Sequence, residues 1–165
     1  MIDLSKLEEL AKNKEQENKK FLKKLRAKKP KNLDAVVHKL HDEVFEHTDC
    51  LECANCCKTL GPRITDKDIK RLAKHLKLSE EKFINQYLKI DEDNDYVFAS
   101  MPCPFLMPDN YCMVYEHRPK ACREYPHTDS RKFYKLLNIT QKNASTCPAV
   151  YEIIEGLKVE YADKK

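Results

Sequence analysis

Tryptophan is absent from this 165-residue chain, and glycine occurs only twice, at Gly61 and Gly156. A phosphate-cradling loop or a GxGxxG nucleotide turn needs several glycines for positive φ and close backbone approach, so neither is present. A self-contained ATP-driven enzyme and a Rossmann-type methyltransferase are therefore not expected. Long apolar runs are missing too: mean hydropathy is -0.73 and nothing approaches the roughly 18 apolar residues of a membrane span. The N-terminal MIDLSKLEELAKNKEQ carries charges where an export signal needs an apolar core, and the expected location is cytoplasmic.

What the chain has in excess is cysteine. Eight cysteines in a chain without an export signal point to metal or redox chemistry, because structural disulfides are rare in a reducing compartment. The formal charge of +4 counts each of them as a neutral thiol. Two four-thiolate centres, each carrying about −2, would bring the loaded protein near neutrality, so the apparent basicity is not by itself a signal for nucleic acid.

Apolar residues recur at helical spacing, and the expected fold is mainly α with irregular cysteine-rich loops, a small helical domain organised around one or two metal centres. Residues 4–29 read as a helix capped by Ser5 with Glu8 and stopped by Pro30; its polar middle, KNKEQENKK, suggests that it projects or packs only in part. Residues 33–47 repeat the period and lead to Cys50. Thr65 or Asp66 caps a helix through ITDKDIKRLAKHL, Ser79 starts SEEKFINQYLKI, and a last helix runs from about Pro148 to Tyr161. Tyr96–Phe98 is the one convincing strand. These elements suggest a basic N-terminal helical extension, 1–47, and a cysteine-cluster domain, 48–165.

The run Cys50, Cys53, Cys56, Cys57 contains two successive CxxC steps, a spacing that lets sulfurs face one ion and turns backbone N–H groups toward them. Cys57, next to Cys56, complicates a single tetrahedral site, because neighbouring side chains usually point apart. Cys103, Cys112, Cys122 and Cys147 each lie within a few residues of a proline, in turns or loops. Four and four is the arithmetic of two four-thiolate sites holding zinc or an iron–sulfur cluster. The simplest division puts Cys50, Cys53 and Cys56 with one distant cysteine and Cys57 with the other three. Residues 101–126 hold five prolines, too many for a long helix, and a metal would order that loop.

CLECANCC, MPCPFL and YCMVYEHRPKACREYP together resemble the YkgJ-type cysteine-cluster family, named for CxxCxxCC, over residues 50 to 147. Cys50, Cys53, Cys56, Cys57, Cys103, Cys112, Cys122, Arg118, Pro119 and Arg123 match its pattern. The resemblance implies zinc or iron chelation. A related domain in flagellin lysine N-methylases implies, as an alternative, a metal-dependent modifying activity. On physical grounds Arg118 and Arg123 can offset the negative charge of thiolates near Cys122.

Weaker signals receive plainer readings. His47 and His117 lie close in sequence to cysteines, yet eight thiols leave no shortage of ligands. Lys19–Lys31 holds eight Lys or Arg in thirteen residues. With only Phe21 there for stacking, it reads as a solvated helix face, the alternative being an adaptor that engages a protein or nucleic-acid partner. Metal ions are the expected partners, a protein partner remains open, and nucleic acid is not expected. Whether the chain is an enzyme stays open at this level.

Overall fold

The computed structural model describes residues 2–162. The fold is mainly helical with one small two-stranded sheet. It comprises two compact units: one gathers the chain up to Asp49 with the chain from Pro126 onward, and the other is Cys50–Tyr125.

In the first unit α1 spans Leu4–Lys28, α2 Leu33–Phe45, α8 Leu137–Asn143 and α9 Pro148–Glu160. The N-cap of α1 is Asp3, whose carboxylate accepts from the Ser5 N–H at 2.9 Å; the expected Ser5–Glu8 box gives way to this earlier, shorter-reach acceptor. Lys29 takes the left-handed conformation at the C-cap and Pro30 prevents continuation. Leu7, Ala11, Leu22 and Leu25 face inward, and so does Asn18 from the polar middle, so α1 packs against α8 and α9 along its length. Glu17, next to Asn18, pairs with Lys158 of α9 at 2.5 Å. Val37, Phe133, Val150, Ile153, Ile154 and Leu157 close the core without measurable exposure.

The second unit carries α3 (Cys50–Cys53), α4 (Asn55–Thr59), α5 (Asp66–His75), α6 (Glu80–Tyr87) and α7 (Lys120–Glu124), with β1 (Leu88–Ile90) antiparallel to β2 (Tyr96–Phe98). The sequence suggested helix through Ile90; the chain leaves α6 at Tyr87 because β2 has backbone donors and acceptors that a lone strand would leave unpaired. Leu88 pairs with Phe98 and Ile90 with Tyr96 across the acidic turn. Ile64 adds a further bridge, its N–H donating to the Tyr96 carbonyl at 2.7 Å. Ile69, Leu72, Phe83, Phe98, Phe105 and Val114 form this unit's core. Phe105 sits at its centre, against Tyr87 at 5.0 Å, Phe98 at 5.6 Å and Phe83 at 6.5 Å between ring centroids.

Candidate metal centre

The CxxCxxCC run folds as two single-turn helices hinged at Ala54, which has φ 44° and is buried. A left-handed alanine is strained by about 1 kcal/mol or more, and it persists only where the surroundings fix it. Cys50 and Cys53 lie on α3, the first exposed and the second buried; Cys56 and Cys57 lie on α4. The adjacent side chains, expected to diverge, keep their sulfurs 4.0 Å apart. For comparison, the edge of a four-thiolate zinc tetrahedron is about 3.8 Å, from zinc–sulfur bonds of about 2.3 Å.

Cys103 and Cys112 belong to a small hairpin-like loop. The Leu106–Cys112 bridge closes it, the Met113 N–H donates to the Phe105 carbonyl at 2.8 Å, and the Tyr111 carbonyl accepts from Met107 at 2.9 Å. The loop is tied to the first cysteine run by the Cys103 N–H, which donates to the Cys57 carbonyl at 2.8 Å. Backbone N–H groups of Phe105 and Leu106 point at the Cys103 sulfur, and that of Val114 points at the Cys112 sulfur. Both cysteines rest against the unit's hydrophobic core. The anchored Phe105 ring thus fixes the very N–H that faces a thiol.

Cys122, on α7, completes the group. The charge of Cys57 reaches Cys103, Cys112 and Cys122, that of Cys112 reaches Cys103 and Cys122, and that of Cys103 reaches Cys122. Burial pushes Cys103 up to about 11, against the opposing N–H bonds, and pushes Cys122 up to about 12 with the neighbouring thiols adding to it. Cys112 is raised by burial as well. Cys57 goes the other way, down to about 7, because the Cys56 thiol hydrogen-bonds to it and Arg118 and Lys58 lie beside it. Desolvated thiols with N–H groups aimed at them suit a bound cation, which would stabilise the thiolate forms that burial now disfavours. Among the described residues no three Cys, His, Asp or Glu side chains already stand in an arrangement that could hold an ion, so closing on one requires the sulfurs to draw together.

Arg118, one of the two arginines expected to offset thiolate charge, acts on Cys57, Cys112 and Cys122. Its guanidinium lies 3.6 Å from the Tyr115 ring centroid and donates to the Tyr115 carbonyl at 2.8 Å. Arg123 is an exposed residue of α7. What holds Arg118 in place escaped the sequence reading. Asp68, 1% exposed, accepts from the Lys120 N–H at 3.0 Å and from Arg71 at 2.6 Å. Arg71 in turn donates to the Arg118 carbonyl at 2.8 Å and the His117 carbonyl at 3.4 Å. Asp68 also forms the capping box of α5 with Thr65, so one buried carboxylate links a helix start to the backbone around Pro119. The available signal was an Asp three residues beyond a capping Thr, with an Arg a helical turn further on.

The remaining expected ligand, Cys147, is the N-cap residue of α9 in the first unit. Of the histidines near cysteines, His47 pairs with Glu152 at 3.0 Å, and His117 lies against His75 with ring centroids 4.0 Å apart and planes tilted by 33°. No helix among the described residues is long and apolar enough to cross a membrane.

A mainly helical chain with cysteines on two helical turns and a proline-rich loop within electrostatic reach of one another has the donor set of a small cysteine-rich metal-binding domain. The family model of the CxxCxxCC domain, described as "Putative zinc- or iron-chelating domain", matches residues 49–148, and the chain belongs to that family. No solved structure matches the chain.

Proposed function

We propose that this is a cytoplasmic metal-binding protein in which Cys57, Cys103, Cys112 and Cys122 hold one zinc ion or iron–sulfur cluster that stabilises the Cys50–Tyr125 unit. The convergence of these four thiols, with backbone N–H groups directed at two of them, carries the reading. Four thiolates around a divalent ion leave about −2, and the Arg118 guanidinium, which acts on Cys57, Cys112 and Cys122, offsets part of it. A centre filled by four cysteines leaves no position for a substrate, which favours binding, scaffolding or electron transfer over hydrolysis. Cys50, Cys53 and Cys56 remain as donors for a second centre. When bound, the metal supplies neutralisation of the thiolates and a cross-link between α4, the hairpin loop and α7.

The test is anaerobic purification followed by elemental analysis and a visible spectrum. Zinc gives a colourless protein and an iron–sulfur cluster a brown one with broad visible absorbance. The double substitution Cys103→Ser with Cys122→Ser is expected to lose at least one equivalent of metal. Protein that carries neither zinc nor iron when purified this way overturns the proposal.

A further inference from the structure

The basic run of α1 has a second half that is distant in sequence. The 3₁₀ turn Phe133–Lys135 packs against both α1 and α2, which brings Lys132 and Lys135 beside Lys29 and Lys31 at the C-terminal end of the basic run, with Arg131 next to them in sequence. These two stretches hold eleven Lys and Arg and no Asp or Glu, and all of the eleven but Arg26 are exposed. Over the whole chain, residues 1–49 and 126–165 carry 19 Lys and Arg against 15 Asp and Glu, whereas residues 50–125 carry 12 of each. The excess charge of the protein therefore lies in one unit, and it is concentrated on one part of it.

The local geometry presents these cations outward. Leu22 and Leu25 turn the opposite face of α1 into the core, so Lys20 and Lys23 project to solvent. Asp34, the nearest acid on α2, is already engaged: its two oxygens accept from the Lys132 N–H at 2.7 Å and the Phe133 N–H at 2.9 Å. Farther along α1, Glu17 is paired with Lys14 and Lys158. A cleft of about 230 Å³ opens where the two basic stretches meet, lined by Lys29, Lys31, Lys132 and Tyr134 and by Asp34, whose carboxylate is turned to the Lys132 and Phe133 N–H groups. Lys29 lies 5.1 Å and Lys135 6.0 Å from the centroid of the Tyr134 ring, so that ring supports ammonium groups and is not left open to a base.

We propose that this surface binds the phosphate backbone of nucleic acid, without sequence preference. The basic part of α1, Lys19–Lys28, is about 15 Å long, and with the cleft it can meet on the order of four phosphates. Covered aromatics argue against base stacking, and the lack of a large exposed apolar residue within either stretch argues against insertion into a lipid surface. The inference is independent of the metal centre, which lies in the other unit.

The experiment uses the full-length, metal-loaded protein and fluorescence anisotropy with a labelled single-stranded RNA and a duplex DNA of about 20 nucleotides per strand. Both are expected to bind, with affinity falling on the order of 100-fold between about 50 and 200 mM salt, as release of about four counterions requires. Replacing Lys20, Lys23, Lys31 and Lys132 together by Gln is expected to weaken binding about tenfold or more and to flatten the salt slope. Replacing Lys67, Lys70, Lys74 and Lys77 of the other unit by Gln removes the same charge and is expected to change affinity less than about threefold. The wild-type salt slope stands whether or not a variant folds. Absence of binding at low salt, equal losses in the two variants, or binding to anionic phosphatidylserine vesicles but not to nucleic acid would each overturn the proposal.

Discussion

Replacing Asp68 by Asn turns one of its two buried oxygens into an amide donor. In the native protein those oxygens accept from the Thr65 N–H at 2.9 Å, the Thr65 hydroxyl at 2.6 Å, Arg71 at 2.6 Å and the Lys120 N–H at 3.0 Å. If the amide replaces the oxygen that serves Arg71 and Lys120, two donors face a donor; if it replaces the other, the Thr65 N–H faces a donor while the Thr65 hydroxyl can turn to accept, and in either case the charge opposite Arg71 is lost. Charge-assisted bonds contribute about 1.5–3 kcal/mol each, and the Arg71 side chain is 29% exposed and partly screened, so the loss comes to about 3 kcal/mol. For a chain of this size that is a fall in Tm of about 6–12 °C. The effect has a pH signature. Burial alone would raise the Asp68 carboxyl, but Thr65, Arg71 and Lys120 outweigh it and hold it below its ordinary 3.8. A carboxyl depressed in the folded state stabilises fully above its unfolded value and loses that contribution as pH falls through the folded one. The Tm difference between wild type and Asp68→Asn should therefore be full near neutral pH and shrink below about pH 4. Scanning calorimetry of both proteins at matched metal content measures it. A difference under about 1 °C at neutral pH, or one that grows on acidification, would refute the reasoning.

Three further outcomes follow from particular contacts. Phe105→Ala empties the ring site among Phe83, Tyr87 and Phe98 and frees the N–H facing Cys103, so a loss of about 3–5 kcal/mol and weaker metal retention in a chelator competition are expected. In metal-free, reduced protein, alkylation of Cys57 followed by peptide mass spectrometry should rise through about pH 7, while Cys103 stays slow until about 11. Equal rates at pH 8 would contradict the assigned environments. Asn18 is 2% exposed with its side-chain oxygen unpartnered, so Asn18→Leu should raise unfolding free energy in denaturant by about 1 kcal/mol.

Helices with strong periodicity and caps were legible in the sequence: α2, α5 and α9 lie within a few residues of expectation, because Pro30, Thr65 and Pro148 punctuate the chain locally. The end of α6 was not legible, since Leu88–Ile90 is as apolar as a helical turn and only pairing with Tyr96–Phe98 makes it a strand. Nor did local pattern reveal that Phe133–Lys135 packs on α1, a contact made across about a hundred residues of sequence. The cysteines could be counted from the sequence, but which of them lie near one another could not be read. The structure brings Cys57 near Cys103, Cys112 and Cys122 through backbone bonds such as Cys103 to Cys57, which leave no trace in residue spacing. Asp68 and Arg71 look like ordinary helix-surface charges until the segment after His117 folds back on them.

The measurement closest to the central claim is native mass spectrometry of the anaerobically purified full-length chain, combined with thiol alkylation before and after metal removal. The account predicts bound zinc or iron, with Cys57, Cys103, Cys112 and Cys122 protected together while the metal is present and exposed together once it is stripped. Modification of any of these four while the metal remains bound at full stoichiometry would contradict it.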